Sequence, residues 1–131
     1  MSRASRRAAS ATLAALIALS APAVADEPLP QSFLVVVEGG ADALGEIVFS
    51  FSEDGAEAFQ IAVSIPKGTP ENNVARRIRK ELRRALPKAG YGVDLDDGEK
   101  VVVSANDAAR IFEIRLERNT VSGTEISIAR E

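Results

Sequence analysis

Six cations crowd into nine residues of this chain: Arg76, Arg77, Arg79, Lys80, Arg83 and Arg84, with Glu81 the one acid among them. Like charges three or four positions apart on a helix repel by about 0.2–0.5 kcal/mol per pair. An acidic ligand would relieve that cost, so the chemistry on offer is anion recognition. The partner would be an acidic protein surface or an envelope polyanion. The plainer alternative is a solvated face, or pairing with the chain's own acids such as Glu113 and Glu117. A second group, Asp94, Asp96, Asp97 and Glu99 around Gly98, supplies oxygen ligands of the kind calcium takes. It lacks the spacing of an EF-hand loop, and Asp and Gly there serve a hairpin turn equally well.

What is missing narrows the chemistry further. The sequence has no histidine and no cysteine, so a Ser-His-Asp or Cys-His nucleophile is excluded and a zinc site is not expected. One tyrosine and no tryptophan argue against sugar platforms and base-stacking surfaces. A hydrolase using two carboxylates would need them facing one another across a cleft, which no spacing in this sequence specifies. The glycines from Gly39 to Gly45 follow a strand-like run, but no Lys-Ser/Thr follows them, so a phosphate loop is not indicated and a flexible connection is expected. No cofactor is implied, and the expectation is a non-catalytic protein.

The first 25 residues read as a cleaved signal peptide. Arg3, Arg6 and Arg7 form the basic start, Ala11–Ala21 a short apolar run, and Ala23-Val24-Ala25 the small-x-small cleavage pattern. Arg6-Arg7 lacks the apolar residues of a twin-arginine signal, so the general secretory route is expected, with a periplasmic or extracellular destination. Residues 26–131 are enough for one domain and too few for two. Without cysteine that domain must be held by its core alone. It carries thirteen basic and nineteen acidic residues, a net charge of −6, yet the stretch 70–88 has seven basic against two acidic. A basic helix on an acidic body argues against general nucleic-acid binding, which favours a basic domain.

The helix that carries the cations is the clearest element. Thr69 suits the N-cap, Pro70 the first helical position, and Glu71 places negative charge in the first turn. Val74, Ile78, Leu82 and Leu86 recur every fourth residue, an apolar stripe, until Pro87 and Gly90 stop the helix near Lys88. Strands flank it. Phe33–Val37 is a continuous apolar run of the kind buried on both faces. Ile47, Phe49 and Phe51 alternate with Glu46, Val48, Ser50 and Ser52, and Phe59, Ile61, Val63 and Ile65 alternate with polar or small residues, predicting a hairpin around Glu53-Asp54-Gly55. A second hairpin turns at Asp96-Asp97-Gly98. Two further strands, around Phe112–Leu116 and Ile126–Ile128, are joined by a turn from Asn119 to Gly123.

The resulting order is βββ-α-ββββ: an α+β fold, a curved and mostly antiparallel sheet of about seven strands with one basic amphipathic helix on its dry face. A β-sandwich with one helix is the alternative, because one helix cannot cover seven flat strands. The functional expectation is an exported interaction module that uses the basic face. A structural or assembly subunit that donates Phe33–Val37 to a neighbour's sheet edge is the runner-up, and a carboxylate hydrolase comes third.

Overall fold

A computed structural model describes residues 31–131; the signal-peptide reading of residues 1–25 lies outside the described part. The elements follow the expected order: β1 (Ser32–Glu38), β2 (Gly45–Glu53), β3 (Phe59–Ile65), α1 (Glu71–Ala85), β4 (Tyr91–Asp96), β5 (Lys100–Ala105), β6 (Phe112–Asn119) and β7 (Glu125–Arg130). Every strand pairing is antiparallel. The strands hydrogen-bond as two sheets, one ordered β4-β5-β1-β7 and the other β3-β2-β6. Helix α1 packs against β3 of the three-stranded sheet and against β4, β1 and β5 of the other. Val74, Ala75, Ile78, Leu82 and Leu86 enter the common core, as the four-residue period predicts.

Several local expectations are corrected. The apolar run of β1 is not buried on both faces: Phe33, Val35 and Val37 are buried, while Leu34 and Val36 on the other face are half-exposed. Nor is β1 free to be donated, because it lies between β5 and β7 and is paired along both edges. Val48, expected on the wet face of β2, is 2 % exposed. Its cross-strand partner Arg118 reaches along that face to Glu46, 2.7 Å away, so the aliphatic stem of the arginine covers it. A register shift between Val48 and Phe49 leaves Glu117 as the extra residue of a bulge in β6.

The helix N-terminus also differs. Pro70 occupies the N-cap position without a side-chain cap, and the Thr69 hydroxyl donates back to the Pro66 carbonyl at 2.7 Å. Glu71 instead accepts the Gly39 N–H at 2.8 Å, tying the β1–β2 loop to the helix. That loop is no loose connection. Ala41 N–H donates to the Thr69 carbonyl, Gly68 N–H to the Ala41 carbonyl, and Asp42 N–H to the Ser122 carbonyl.

The two sheets are cross-tied at opposite ends of β2. At its Gly45 end the backbones themselves meet: a Cβ on Gly39 would lie 2.2 Å from the Gly123 carbonyl oxygen, and one on Gly45 would lie 2.7 Å from Val121 Cα. Gly39 and Gly123 hold φ of +87° and +89°, the left-handed region where glycine alone is unstrained. The β6–β7 turn is therefore not a hairpin within one sheet; it carries the chain from one sheet to the other. At the Glu53 end the tie is aromatic. Phe33, Phe51, Tyr91 and Phe112, drawn from both sheets, pack with ring centroids 5.0–5.6 Å apart.

Candidate functional site

An α-helix turns 100° per residue, so the cations of α1 fan out around the apolar stripe rather than forming one patch. Arg77 leaves on the flank facing β3, where its guanidinium donates to the Ser64 carbonyl at 3.4 Å. Arg83 leaves on the flank facing β4; its Nε donates to the Val93 carbonyl at 2.7 Å and its Nη2 meets Asp94 at 3.0 Å. The helix thus sets one arginine on a carbonyl of each adjoining edge strand. Arg84 pairs with Glu81 at 3.3 Å and Arg76 donates to Asn73. Arg79 and Lys80 make no hydrogen bond or ion pair among the described residues.

Two expectations about this face change. Arg83 is not simply solvated, and the acids that meet the helix are Asp94 and Glu81 rather than Glu113 or Glu117. Glu113 is 3.4 Å from Arg115 on its own strand. Arg79 is unpaired among the described residues but half-buried on the opposite flank from Arg77; what else stays available is Arg76 and Lys80 on the crest, with Arg77 beside them. These three, with Asn73, Glu81, Val63 and Ser64, line a groove of about 330 Å³ between the helix and β3. Val63 and Ser64 of β3 form its floor, and the helix cations its wall.

The acidic hairpin is a turn in this structure. Asp97 and Gly98 both take positive φ, 63° and 68°, as a tight β4–β5 connection demands. Asp94 is drawn to Arg83, and Asp97 to Lys100 at 3.9 Å. Asp96 ends β4 and Glu99 lies in the turn, its carbonyl accepting the Val37 N–H. Among the described residues, no three or more His, Cys, Asp or Glu are placed to hold a metal ion.

A polar cluster that the sequence reading did not single out closes the aromatic end. The Tyr91 hydroxyl donates to Glu53 Oε2, and Arg110 Nη1 donates to the same oxygen at 2.8 Å. Arg110 lies 5.4 Å from the Tyr91 ring centroid, and a Cβ on Gly90 would press on its guanidinium at 3.0 Å. Its Nε is buried without a partner among the described residues. Glu53 and Arg110 of the cluster, with Asp54 and Asp107, also line a cleft of about 370 Å³.

Each of the three groups is shifted by its neighbours in the cluster. Hydrogen bonds from Tyr91 and then Arg110 hold the Glu53 carboxyl below the ordinary carboxylate value. Burial first, and the bond to Glu53 second, push the Tyr91 hydroxyl up to about 12. The bond to Glu53 raises Arg110 as well. An acid–base catalyst works best with a group that titrates near the working pH, and none of these three does so near neutrality. The arrangement acts as a tie between β2, β4 and the segment before β6. In the sequence, Glu53, Tyr91 and Arg110 are far apart and each has an ordinary local explanation, so only the topology brings them together.

Comparison with known proteins finds no family model that matches the chain and no curated protein with significant similarity. No helix among the described residues is long and apolar enough to cross a membrane.

Proposed function

We propose that this protein is a non-catalytic binding module, exported from the cell, that takes an acidic partner on the helix α1. The observation that carries this reading is the groove along β3, where Arg76, Arg77 and Lys80 converge while only Glu81 opposes them. Arg83 and Arg84 already have acidic neighbours, so the recruiting face is the Arg76–Lys80 half of the helix rather than all six cations. On a protein whose remaining surface is acidic, this local field orients a negatively charged partner toward one side.

The test uses poly-L-glutamate as the probe. Wild type should be retained on an immobilised poly-L-glutamate matrix at low salt and released as salt rises, because exposed charges are screened beyond about 8–10 Å near physiological ionic strength. Reversing Arg76 and Lys80 together to Glu should remove retention without unfolding the domain, since both residues are exposed and neither is ion-paired to an acid among the described residues. Equal retention of the variant and the wild type would sink this reading.

A further inference from the structure

Resting on that reading, we propose that the groove takes its acidic partner as an extended strand, added to the outer edge of β3 at Gln60–Ser64. The backbone geometry selects this edge. Glu46 turns its N–H and carbonyl toward Thr120, on the β6 side of β2. Its partner across the ladder is Ser64, so Glu46 and Ser64 are a pair that exchanges no hydrogen bonds. The Ser64 N–H and carbonyl must then point away from β2, and the Arg77 guanidinium found on that carbonyl agrees.

Antiparallel ladders alternate, so Ala62 and Gln60 turn their main-chain groups outward as well. None of the three makes a backbone hydrogen bond outside the β2 ladder among the described residues, and all three are exposed. An edge whose main-chain groups lie in this spacing, with only the long Arg77 contact on the Ser64 carbonyl, is a template for another strand. The outer edge of β4 is the counter-example: there Arg83 covers the Val93 carbonyl with a short bond and is itself held by Asp94.

The occupant is fixed by charge. A strand laid on Gln60–Ser64 meets Arg76, Arg77 and Lys80 at its Ser64 end, where they line the groove with Val63 and Ser64, so a carboxylate there would lie against three cations and one acid. Arg77 reaches Ser64 over 3.4 Å, a long and exposed contact that a carboxylate can replace. The partner is therefore an acidic peptide segment in extended conformation. A folded acidic surface would use the cations and leave the strand edge bare.

Binding of a short synthetic peptide of alternating Glu and Val tests this. On binding, hydrogen exchange at the Gln60, Ala62 and Ser64 amides should slow, and affinity should fall roughly tenfold or more when every peptide nitrogen is methylated, since charge persists but strand pairing does not. Ala62→Pro blocks the outer edge without removing a β2 hydrogen bond, because that N–H points outward. It should weaken binding by a similar factor. Unchanged exchange at the three amides, with the methylated peptide binding as well as the parent, would overturn strand addition. If Arg76→Glu with Lys80→Glu still abolished binding in that case, the basic-face reading would survive alone. If charge reversal had no effect, both would fall. Self-association that Ala62→Pro removes, in a protein that ignores the peptide, would assign the edge to a second copy and overturn the acidic-peptide proposal.

Discussion

The two ends of β2 do the same mechanical work by opposite means. At the Gly45 end the sheets are joined by bare backbone, with Gly39, Gly45 and Gly123 allowing contacts that a methyl group would occupy. At the Glu53 end they are joined by the largest side chains in the protein, with Tyr91, Glu53 and Arg110 sealing the packed rings. A tie made of backbone has no slack, because no rotamer change can relieve an overlap. A tie made of side chains can repack. The first end should tolerate no added atom, and the second should lose its parts gradually.

Gly39→Ala is the largest expected break. The new methyl would have to coexist with a carbonyl oxygen at 2.2 Å in a backbone that L residues avoid. Chemical denaturation should show a loss of about 3 kcal/mol or more, in the range that strained backbone substitutions reach. A loss below about 1 kcal/mol would show that the glycine crossing yields, and the contrast would collapse. Tyr91→Phe is the matching change at the other end. It keeps the ring and removes one of two donors to a carboxylate that remains about one-third exposed. The expected loss is about 1 kcal/mol, and a loss as large as that of Gly39→Ala would make the side-chain end equally rigid.

The smallest effect is in the pH dependence, where it carries a definite sign. Glu53 holds its proton less tightly folded than unfolded, so its contribution is present above the ordinary carboxylate value and fades as pH falls through the lowered one. Tyr91 behaves in the opposite sense: its contribution is full below pH 10.0 and is lost as pH rises from there toward about 12. Glu53→Gln should flatten the acid limb of a stability profile; Tyr91→Phe should flatten the alkaline limb and, by removing the largest cause of the Glu53 shift, part of the acid limb as well. Gly39→Ala should lower the whole profile without changing its slopes.

These contrasts explain which parts were readable from sequence. The helix stripe and both hairpins are local: their period and turn residues sit within one stretch, so Val74, Ile78 and Leu82 were placed in the core and Asp96-Asp97-Gly98 in a turn. The helix cations were legible as residues but not as roles. Whether an arginine is free depends on which strand lies beside it, and Arg83 beside Val93 cannot be separated from Arg76 by spacing. The glycines marked loops, yet their reason lies in a backbone some 80 positions away. Thr69 misled because the helix starts one residue later, with Pro70 at the N-cap position, and the Thr69 hydroxyl donates back to the Pro66 carbonyl instead of accepting a helix N–H.

The position of β1 has one more consequence, for the order of events during folding. β1 is an inner strand of its sheet, and its two neighbours lie far along the sequence from it: Phe33 pairs with Val103 on one side and with Arg130 on the other. Nothing made early can satisfy either edge. A nascent chain can close the β2–β3 hairpin and nucleate the helix, but β1 must wait for β5 and β7 to emerge. Contacts so distant in sequence slow folding, since the loops must close before the strands reward them. Residues 125–131 therefore work as a latch, and a chain that lacked β7 would leave an apolar strand with one edge permanently open to whatever it met first.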